Sequence, residues 1–273
     1  MEYHLKHEMT DPELEREIKK YTITAMAWAR GMGGSKSKRA LWDICGKPMI
    51  QWVIESILKS KYVDRMYVAT EDKEIGAASE KCGAKVIYRP IDTVLDYPRY
   101  YTKGPQARIK PRSNIHQNLL YLSPPWNYSL HYLEEVEGYV PDILITVSTD
   151  SPLTKTASLD RLIRAFFKDP EASCAKMLYS TEPKIYMINP KTERIFPFFV
   201  DTVQGIDRQE YPDIYRGGGF TVSGGFLVQW SGKQKYAHIF ISPEEGLSVH
   251  DKEDLFLARC YMKRRLARSN EQS

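Results

Sequence analysis

A glycine-rich, cationic loop between a predicted strand and a predicted helix constrains this chain more than any other segment. The apolar run 21–29 before the loop is typical of a buried strand, and the segment after Gly46 opens an amphipathic helix. Glycines let backbone N–H groups approach an anion closely, and lysine and arginine side chains offset its negative charge. This order of elements indicates a binding site for a nucleoside triphosphate. The candidate nucleotide-binding residues of the loop are Ala29, Arg30, Gly33, Gly34, Ser35, Lys36, Lys38 and Arg39.

Predicted strands and helices alternate along most of the chain, which is typical of an α/β fold. We expect a mostly parallel, Rossmann-like sheet flanked by helices. The predicted strands cover 21–29, 65–70, 85–88, 142–147, 172–179 and 223–230. The predicted helices cover 47–60, 73–81, 158–167 and 251–268, with a further one around 114–122.

One main domain with short additions accounts for the length of 273 residues. We expect a helical extension over 1–20, because Thr10-Asp11-Pro12-Glu13 fits a capping box with proline in the first turn. The main domain is predicted to span 21–268, and a tail follows at 269–273. Prolines and aromatic residues over 182–216 interrupt the alternation, which predicts a small excursion from the main sheet.

The composition is that of an ordinary globular protein, with 42% apolar residues, 27% charged residues and a net charge of +4. This slight basic excess suits an anionic small molecule and does not argue for nucleic acid. No apolar run approaches the roughly 20 residues of a membrane span, and the charged N-terminus lacks the apolar core of a signal peptide. Because the four cysteines are far apart without metal-ligand spacing, we expect a reduced, cytoplasmic protein.

The loop region contains Ala29-Arg30, Gly34-Ser35-Lys36, Leu41 and Gly46-Lys47-Pro48-Met49-Ile50. Together these segments resemble the cytidylyltransferases that make CMP-activated acidic sugars, namely the CMP-sialic acid synthetases and their relatives. The resemblance implies a nucleotidyltransferase fold and a loop that holds a triphosphate. The chain departs from the family in two places: Gly31-Met32 look inserted, and Arg39-Ala40 occupies the place of a Lys-Asn pair.

Arg89-Pro90, directly after the third predicted strand, extends the resemblance. An Arg-Pro pair in this place of the family brings a cation toward the nucleotide, which adds Arg89 to the candidate nucleotide-binding residues. Taken alone, the pair is more typical of a solvent-exposed arginine where a strand ends.

Asp150 follows an apolar strand, within the segment Ser148-Thr149-Asp150-Ser151-Pro152-Leu153. A carboxylate at the carboxyl end of a central strand lies where ligands bind in open α/β sheets. The segment is similar both to Gln-Pro-Thr-Ser-Pro-Leu of the sialic acid branch and to Gln-Gly-Asp-Glu-Pro-Leu of the Kdo branch. Asp150 falls on the metal-binding aspartate of the Kdo branch. Its alternative role is a turn or a cap for the following helix.

The segment 208–216 resembles Arg-Gln-x-x-Pro-x-x-Tyr-Arg of the sialic acid branch, and Gly224-Gly225 follows it. In the family this region shapes the acidic-sugar pocket and the dimer contact, so the resemblance implies a homodimer. The alternative is a hairpin packed on the core. The candidate acceptor-binding residues are Arg208, Gln209, Tyr215, Arg216, Gly224 and Gly225.

The segment Ser248-Val249-His250-Asp251 precedes the last predicted helix, where the family carries a magnesium-binding aspartate. Alignment without a gap from Asp254-Leu255 places His250 at that aspartate, and a shift of one residue places Asp251 there. Magnesium prefers oxygen ligands, which favours Asp251, although Asp251 also fits the N-cap of the helix. The candidate metal ligands are Asp150, Asp251 and His250.

The resemblance implies transfer of CMP from CTP to an acidic 2-keto sugar of the nonulosonate type, with release of pyrophosphate and with Mg²⁺ as cofactor. The expected catalytic residues are Lys36, Asp150 and Asp251. One alternative is transfer of CMP to Kdo or to a phosphonate-like acid. Another is a catalytically silent nucleotide-sugar-binding protein on the same scaffold, which the departures at Ala40, Ser148 and His250 motivate.

Overall fold

The computed structural model describes residues 9–31, 38–90, 124–182, 185–188, 191–197, 213–224 and 235–271. The strands are β1 (Ile23–Trp28), β2 (Asp43–Ile44), β3 (Lys47–Pro48), β4 (Arg65–Thr70), β5 (Lys85–Tyr88), β6 (Ile143–Val147), β7 (Cys174–Thr181), β8 (Tyr186–Ile188), β9 (Ile195–Pro197), β10 (Ile214–Ser223) and β11 (Tyr236–Phe240). The helices are α1 (Asp11–Ile18), α2 (Met49–Leu58), α3 (Lys73–Glu80), α4 (Pro124–Glu135), α5 (Thr156–Lys168) and α6 (Lys252–Asn270). None of these helices is both long and apolar enough to cross a bilayer.

A seven-stranded sheet in the order β11-β7-β10-β6-β1-β4-β5 forms the centre of the molecule. The pairs that join β1 to β4, β1 to β6, β4 to β5 and β7 to β11 are parallel. Among the described strands of this sheet, only β10 is antiparallel to both of its neighbours. The α/β fold with a mostly parallel sheet predicted from the sequence is confirmed.

Helices cover the sheet on both faces because alternate residues of each strand point to opposite sides. Ala25 and Ala27 of β1 point to the larger core, which α1, α2, α3 and α5 complete. Met26 points to a smaller core on the other face, together with Leu133 of α4. A third cluster joins the β2–β3 hairpin to α6 and contains Ile44, Met49, Leu153, Val249, Ala258 and Met262.

The Gly-Lys-Pro motif of the sequence forms this β2–β3 hairpin. Cys45 and Gly46 both have positive φ, at 53° and 86°, as a two-residue hairpin turn requires. Lys47 pairs with Glu55 of α2 at 2.6 Å, and its ammonium lies 4.2 Å from the ring centroid of Trp52. The motif therefore positions the start of α2 through contacts with side chains of that helix.

Residues around the glycine run 217–219 depart from the prediction. The strand predicted over 223–230 is wrong at its start, because β10 ends at Ser223 and Gly224 forms a bend, whereas 225–230 lie outside the described residues. Residues 214–216, predicted to leave the main sheet, belong to β10. A register shift between Gly218 and Thr221 accommodates the glycines within the strand. The helix predicted near 114–122 also lies outside the described residues.

The N-terminal helix α1 packs on the main domain. The Glu13 carboxylate accepts hydrogen bonds from the backbone N–H and the hydroxyl of Thr10, both at 2.8 Å. Leu14 is fully buried and Ile18 nearly so in the larger core. Arg164 of α5 pairs with Asp11 at 2.5 Å, so the helix is held by both apolar and ionic contacts.

Shortening Leu14 tests whether α1 contributes to the core. We expect Leu14→Ala to lower the free energy of unfolding by about 2–5 kcal/mol, since it leaves a cavity in a closed core. Leu266→Ala, at a position 36% exposed on α6, should cost less than about 1 kcal/mol. Urea denaturation of both variants measures the difference, and equal losses would contradict the packing of α1.

Candidate active site

The candidate residues gather at one edge of the sheet, because β1, β4, β5 and β6 are parallel and end on the same side. Ala29 continues β1, and its backbone N–H donates to Ala69 at 3.0 Å. Arg89 follows β5, and its N–H donates to the carbonyl of Thr70 at 3.0 Å. Asp150 lies just beyond β6. The carboxyl edge of a parallel sheet is where ligands bind in this class of fold.

Arg89 is buried in an ion pair. Its side chain is 0% exposed, and Nη2 lies 2.5 Å from Oε2 of Glu71, whose side chain is 3% exposed. Arg89 Nη2 also donates to the carbonyl of Ala29 at 3.3 Å, and the N–H of Gly31 donates to Glu71 Oε1 at 2.6 Å. The guanidinium therefore contacts protein groups, and its predicted direct contact with the nucleotide stays a prediction.

The other cations of the loop region are more accessible. Arg30 is exposed at the end of β1. Lys38, in a left-handed conformation with φ 55°, pairs with Glu74 at 2.7 Å and with Asp72 at 3.2 Å. These hydrogen bonds raise the pKa of the Lys38 ammonium, so it stays charged. The candidates Gly33, Gly34, Ser35 and Lys36 lie outside the described residues.

Asp150, His250 and Arg39 come together although they are far apart in the chain. Asp150 is 21% exposed, and its Oδ2 lies 3.5 Å from Nδ1 of His250. Arg39 Nη1 donates to the same Nδ1 at 3.1 Å and to the carbonyl of His250 at 3.3 Å. The imidazole nitrogen thus lies between a guanidinium and a carboxylate.

Asp251 begins the last helix. Its Oδ1 accepts the N–H of Asp254 at 2.9 Å, as an N-cap residue does. The Asp254 carboxylate in turn accepts the N–H of His250, also at 2.9 Å. The structure therefore turns His250 toward Asp150 and uses Asp251 as a cap. The role of Asp251 as a metal ligand stays a prediction.

The C-terminal segment holds the loop that follows β6. The backbone N–H of Val249 donates to the carbonyl of Asp150 at 2.8 Å. The N–H of Lys155 donates to the buried carboxylate of Glu245 at 2.9 Å, and Arg265 donates to the carbonyl of Leu153 at 2.7 Å. Asp150 is therefore anchored through its own backbone and the loop behind it.

The candidate acceptor residues divide between the two edges of the sheet. Tyr215 and Arg216 lie on β10 beyond the carboxyl end of β6, because Phe220 pairs with Val147. Gly224 lies past Ser223, which pairs with Leu144 near the start of β6, so the structure does not bring it near Asp150. The candidates Arg208, Gln209 and Gly225 lie outside the described residues.

Sequence reasoning missed Glu71 as a residue of this site. The signal was a carboxylate directly after β4, in the segment Ala69-Thr70-Glu71-Asp72. An acidic side chain next to a triphosphate site is unexpected on charge alone, since it repels the ligand. Its partner Arg89 becomes visible only once β4 and β5 pair.

Solved structures define the class of fold. A CMP:2-keto-3-deoxy-manno-octonic acid synthetase solved with CTP has a TM-score of 0.58 at 17% identity, covering 89% of this chain and 99% of that one. A 4-diphosphocytidyl-2C-methyl-D-erythritol synthase of Anaerococcus prevotii has a TM-score of 0.57 at 11% identity, covering 91% and 99%. The chain shares the fold of these two proteins.

Sequence comparisons match the chain to cytidylyltransferases. Residues 35–102 match the family model for cytidylyltransferases. The 3-deoxy-manno-octulosonate cytidylyltransferase of Bdellovibrio bacteriovorus is 26% identical over 141 residues, 52% of this chain and 44% of that protein. The N-acylneuraminate cytidylyltransferase of Escherichia coli is 30% identical over 123 residues, 43% and 28% of the two chains. The chain spans about half the length of the curated relatives it matches. The predicted resemblance to the cytidylyltransferases of acidic sugars is confirmed.

Gly31 tests the packing of the loop after β1. A Cβ at this position would lie 2.3 Å from the Cβ of Asp72, and Asp72 cannot turn away without losing its hydrogen bonds as the N-cap of α3. We expect Gly31→Ala to lower the free energy of unfolding by about 1–3 kcal/mol. In the matched variant Gly217→Ala the new Cβ meets no atom within 4 Å, so a change within about 0.5 kcal/mol is expected. Chemical denaturation compares the two, and equal costs would contradict this packing.

Proposed function

We propose that this protein transfers CMP from CTP to an acidic 2-keto sugar and releases pyrophosphate. The observation that carries the proposal is the placement of Arg30 and Asp150 at the same carboxyl edge of the sheet, with Arg39 and Asp150 both beside the His250 imidazole. Two kinds of relative support it: curated cytidylyltransferases of acidic sugars and a CTP-bound synthetase of the same fold.

In the proposed reaction the acceptor hydroxyl attacks the α-phosphorus of CTP in line with the departing pyrophosphate. Negative charge grows on the phosphate oxygens, so catalysis depends on positioning and electrostatic stabilisation. Arg30, Ser35, Lys36 and either Lys38 or Arg39 would hold the triphosphate, and Lys36 would act closest to the chemistry. In the structure Lys38 and Arg39 already contact acidic or imidazole groups, so CTP would compete for them.

We propose Mg²⁺ as the cofactor, with Asp150 as its principal protein ligand. No three histidine, cysteine, aspartate or glutamate side chains group as ligands within the described residues. Magnesium is commonly held by one or two carboxylates together with substrate phosphates and water, and one carboxylate at 21% exposure fits that pattern. When bound, the ion would neutralise phosphate charge and acidify the acceptor hydroxyl. We propose His250 ahead of Asp251 as a second ligand, because His250 Nδ1 lies 3.5 Å from Asp150 Oδ2 whereas Asp251 caps the last helix.

The acceptor is proposed to bind beside β10. Tyr215 and Arg216 lie beyond the sheet edge on the side of Asp150. Arg208 and Gln209 would join them, and an arginine fork suits a sugar carboxylate. The eight-carbon acids named for the Bdellovibrio protein and for a Shewanella amazonensis relative, 25% identical over 170 residues, make Kdo-like acids the second candidate class. Asp150 favours Kdo-like acids, because it falls on the metal-binding aspartate of the Kdo branch.

We further propose a cytoplasmic homodimer. The β8–β9 hairpin is separate from the main sheet and exposes Tyr186 and Ile188, at 53% and 67%, as a contact surface between two copies would. All four cysteines are free thiols, which suits a reducing compartment. Analytical ultracentrifugation of the full chain tests the assembly.

An acceptor screen tests the proposed reaction. Pyrophosphate release is measured with CTP, UTP, ATP and GTP against N-acetylneuraminate, Kdo and 8-amino-3,8-dideoxy-manno-octulosonate. Turnover that needs both CTP and an acidic sugar is expected. Tight CTP binding without turnover on any acceptor would instead favour the silent binding protein.

The two aspartates are separated by amide substitutions. We expect Asp150→Asn to lower magnesium-dependent turnover by roughly 100-fold or more, because the charge that holds the ion is lost. Asp251→Asn keeps an equally good helix cap, so turnover should stay within about threefold and stability should not change. Steady-state rates over a magnesium titration give the result. A comparable loss in Asp251→Asn would make Asp251 a ligand.

A further inference from the structure

The peptide groups on both sides of Arg30 are held by the same buried ion pair. The carbonyl of Ala29, which precedes Arg30, accepts from Arg89 Nη2 at 3.3 Å. The N–H of Gly31, which follows Arg30, donates to Glu71 Oε1 at 2.6 Å. Because φ and ψ of a residue lie between its two peptide planes, these two bonds fix the backbone direction of Arg30.

The ion pair is not needed to align the strands. Backbone hydrogen bonds at 3.0 Å already join Ala29 to Ala69 and Arg89 to Thr70 at the same edge. The pair instead bonds the Ala29 carbonyl and the Gly31 N–H, which lie just past the end of β1, where the loop begins. Hydrogen bonds to charged groups are stronger than neutral ones, which suits the task of holding an irregular backbone.

Both side chains of the pair are buried. Glu71 is 3% exposed and Arg89 is 0% exposed, whereas Arg30 between them is exposed. A negative Glu71 at the surface would repel a triphosphate, but burial against Arg89 at 2.5 Å neutralises it. The pair can thus orient the backbone of Arg30 with little net charge of its own.

We propose that Glu71 and Arg89 are positioning residues that act on the triphosphate through Arg30. The proposal rests on the proposed function, in which Arg30 contacts CTP. In this proposal Arg89 orients Arg30 and does not itself contact the nucleotide. Glu71 has the same positioning role.

The test uses the full chain with substitutions in the pair and a matched control. Glu71→Gln removes the charge at constant size, and Arg89→Met removes the cation. The double variant avoids leaving one buried charge alone if a single variant folds poorly. The control is Glu137→Gln, because Glu137 pairs with Lys85 at 2.8 Å at the opposite edge of the same strands.

The kinetic result expected is a KM for CTP raised at least tenfold in Glu71→Gln and Arg89→Met, with kcat within threefold. Arg89→Lys, which keeps the cation, should restore KM to within threefold, and Glu137→Gln should leave both constants unchanged. In an Arg30→Ala background, Glu71→Gln should change KM by less than twofold, because the pair acts through Arg30. Additive losses in that background, or equal losses in Glu137→Gln, would overturn the proposal.

Amide hydrogen exchange tests the same pair without CTP. We expect the Gly31 amide to exchange at least tenfold faster in the double variant, with the Ala29 amide unchanged. An unchanged Gly31 rate would overturn the proposal even if the wild type turns over CTP. If the wild type does not bind CTP while Gly31 responds as expected, the proposed function fails and the anchoring of Arg30 remains.

Discussion

Parallel pairing of β1 with both β4 and β6 is the constraint on which the rest of the site depends. It brings the chain to the same edge of the sheet at the end of each of these strands, so residues from distant segments meet there. Glu71, Arg89 and Asp150 are neighbours of the β1 loop for this reason. Glu137 lies at the opposite edge, where it pairs with Lys85 at 2.8 Å and accepts the Tyr67 hydroxyl at 2.8 Å.

Charges at the carboxyl edge are largely balanced within the protein. Lys38 contacts Asp72 and Glu74, Arg89 contacts Glu71, and Arg39 contacts His250 beside Asp150. In the proposed function, a triphosphate would replace some of these contacts with its own. The buried pair is too enclosed to take part in that exchange, whereas Lys38, at 37% exposure, can. The edge therefore combines a fixed ionic anchor with cations that a ligand can recruit.

Periodicity predicted much of the fold, since β4 and β5 have the predicted bounds and α2 and α3 differ only at their ends. It failed at the glycine run 217–219, because a bulged strand and a loop have the same local composition. Motif order placed Asp150 at the correct edge. It could not separate His250 from Asp251, because one residue decides which side chain caps a helix and which faces Asp150. Likewise, the Arg-Pro pair could not predict that Arg89 is buried, because the burial depends on Glu71, which comes close only when β4 and β5 pair.

The two strands β7 and β10 continue together past the end of β6, beyond the register shift at the glycines. Their outer pairs, such as Tyr215 with Ser180, contribute nothing to the ladder that carries the β1 loop. Substitutions on this ribbon can therefore alter the proposed acceptor site while the loop edge at β1 keeps its geometry.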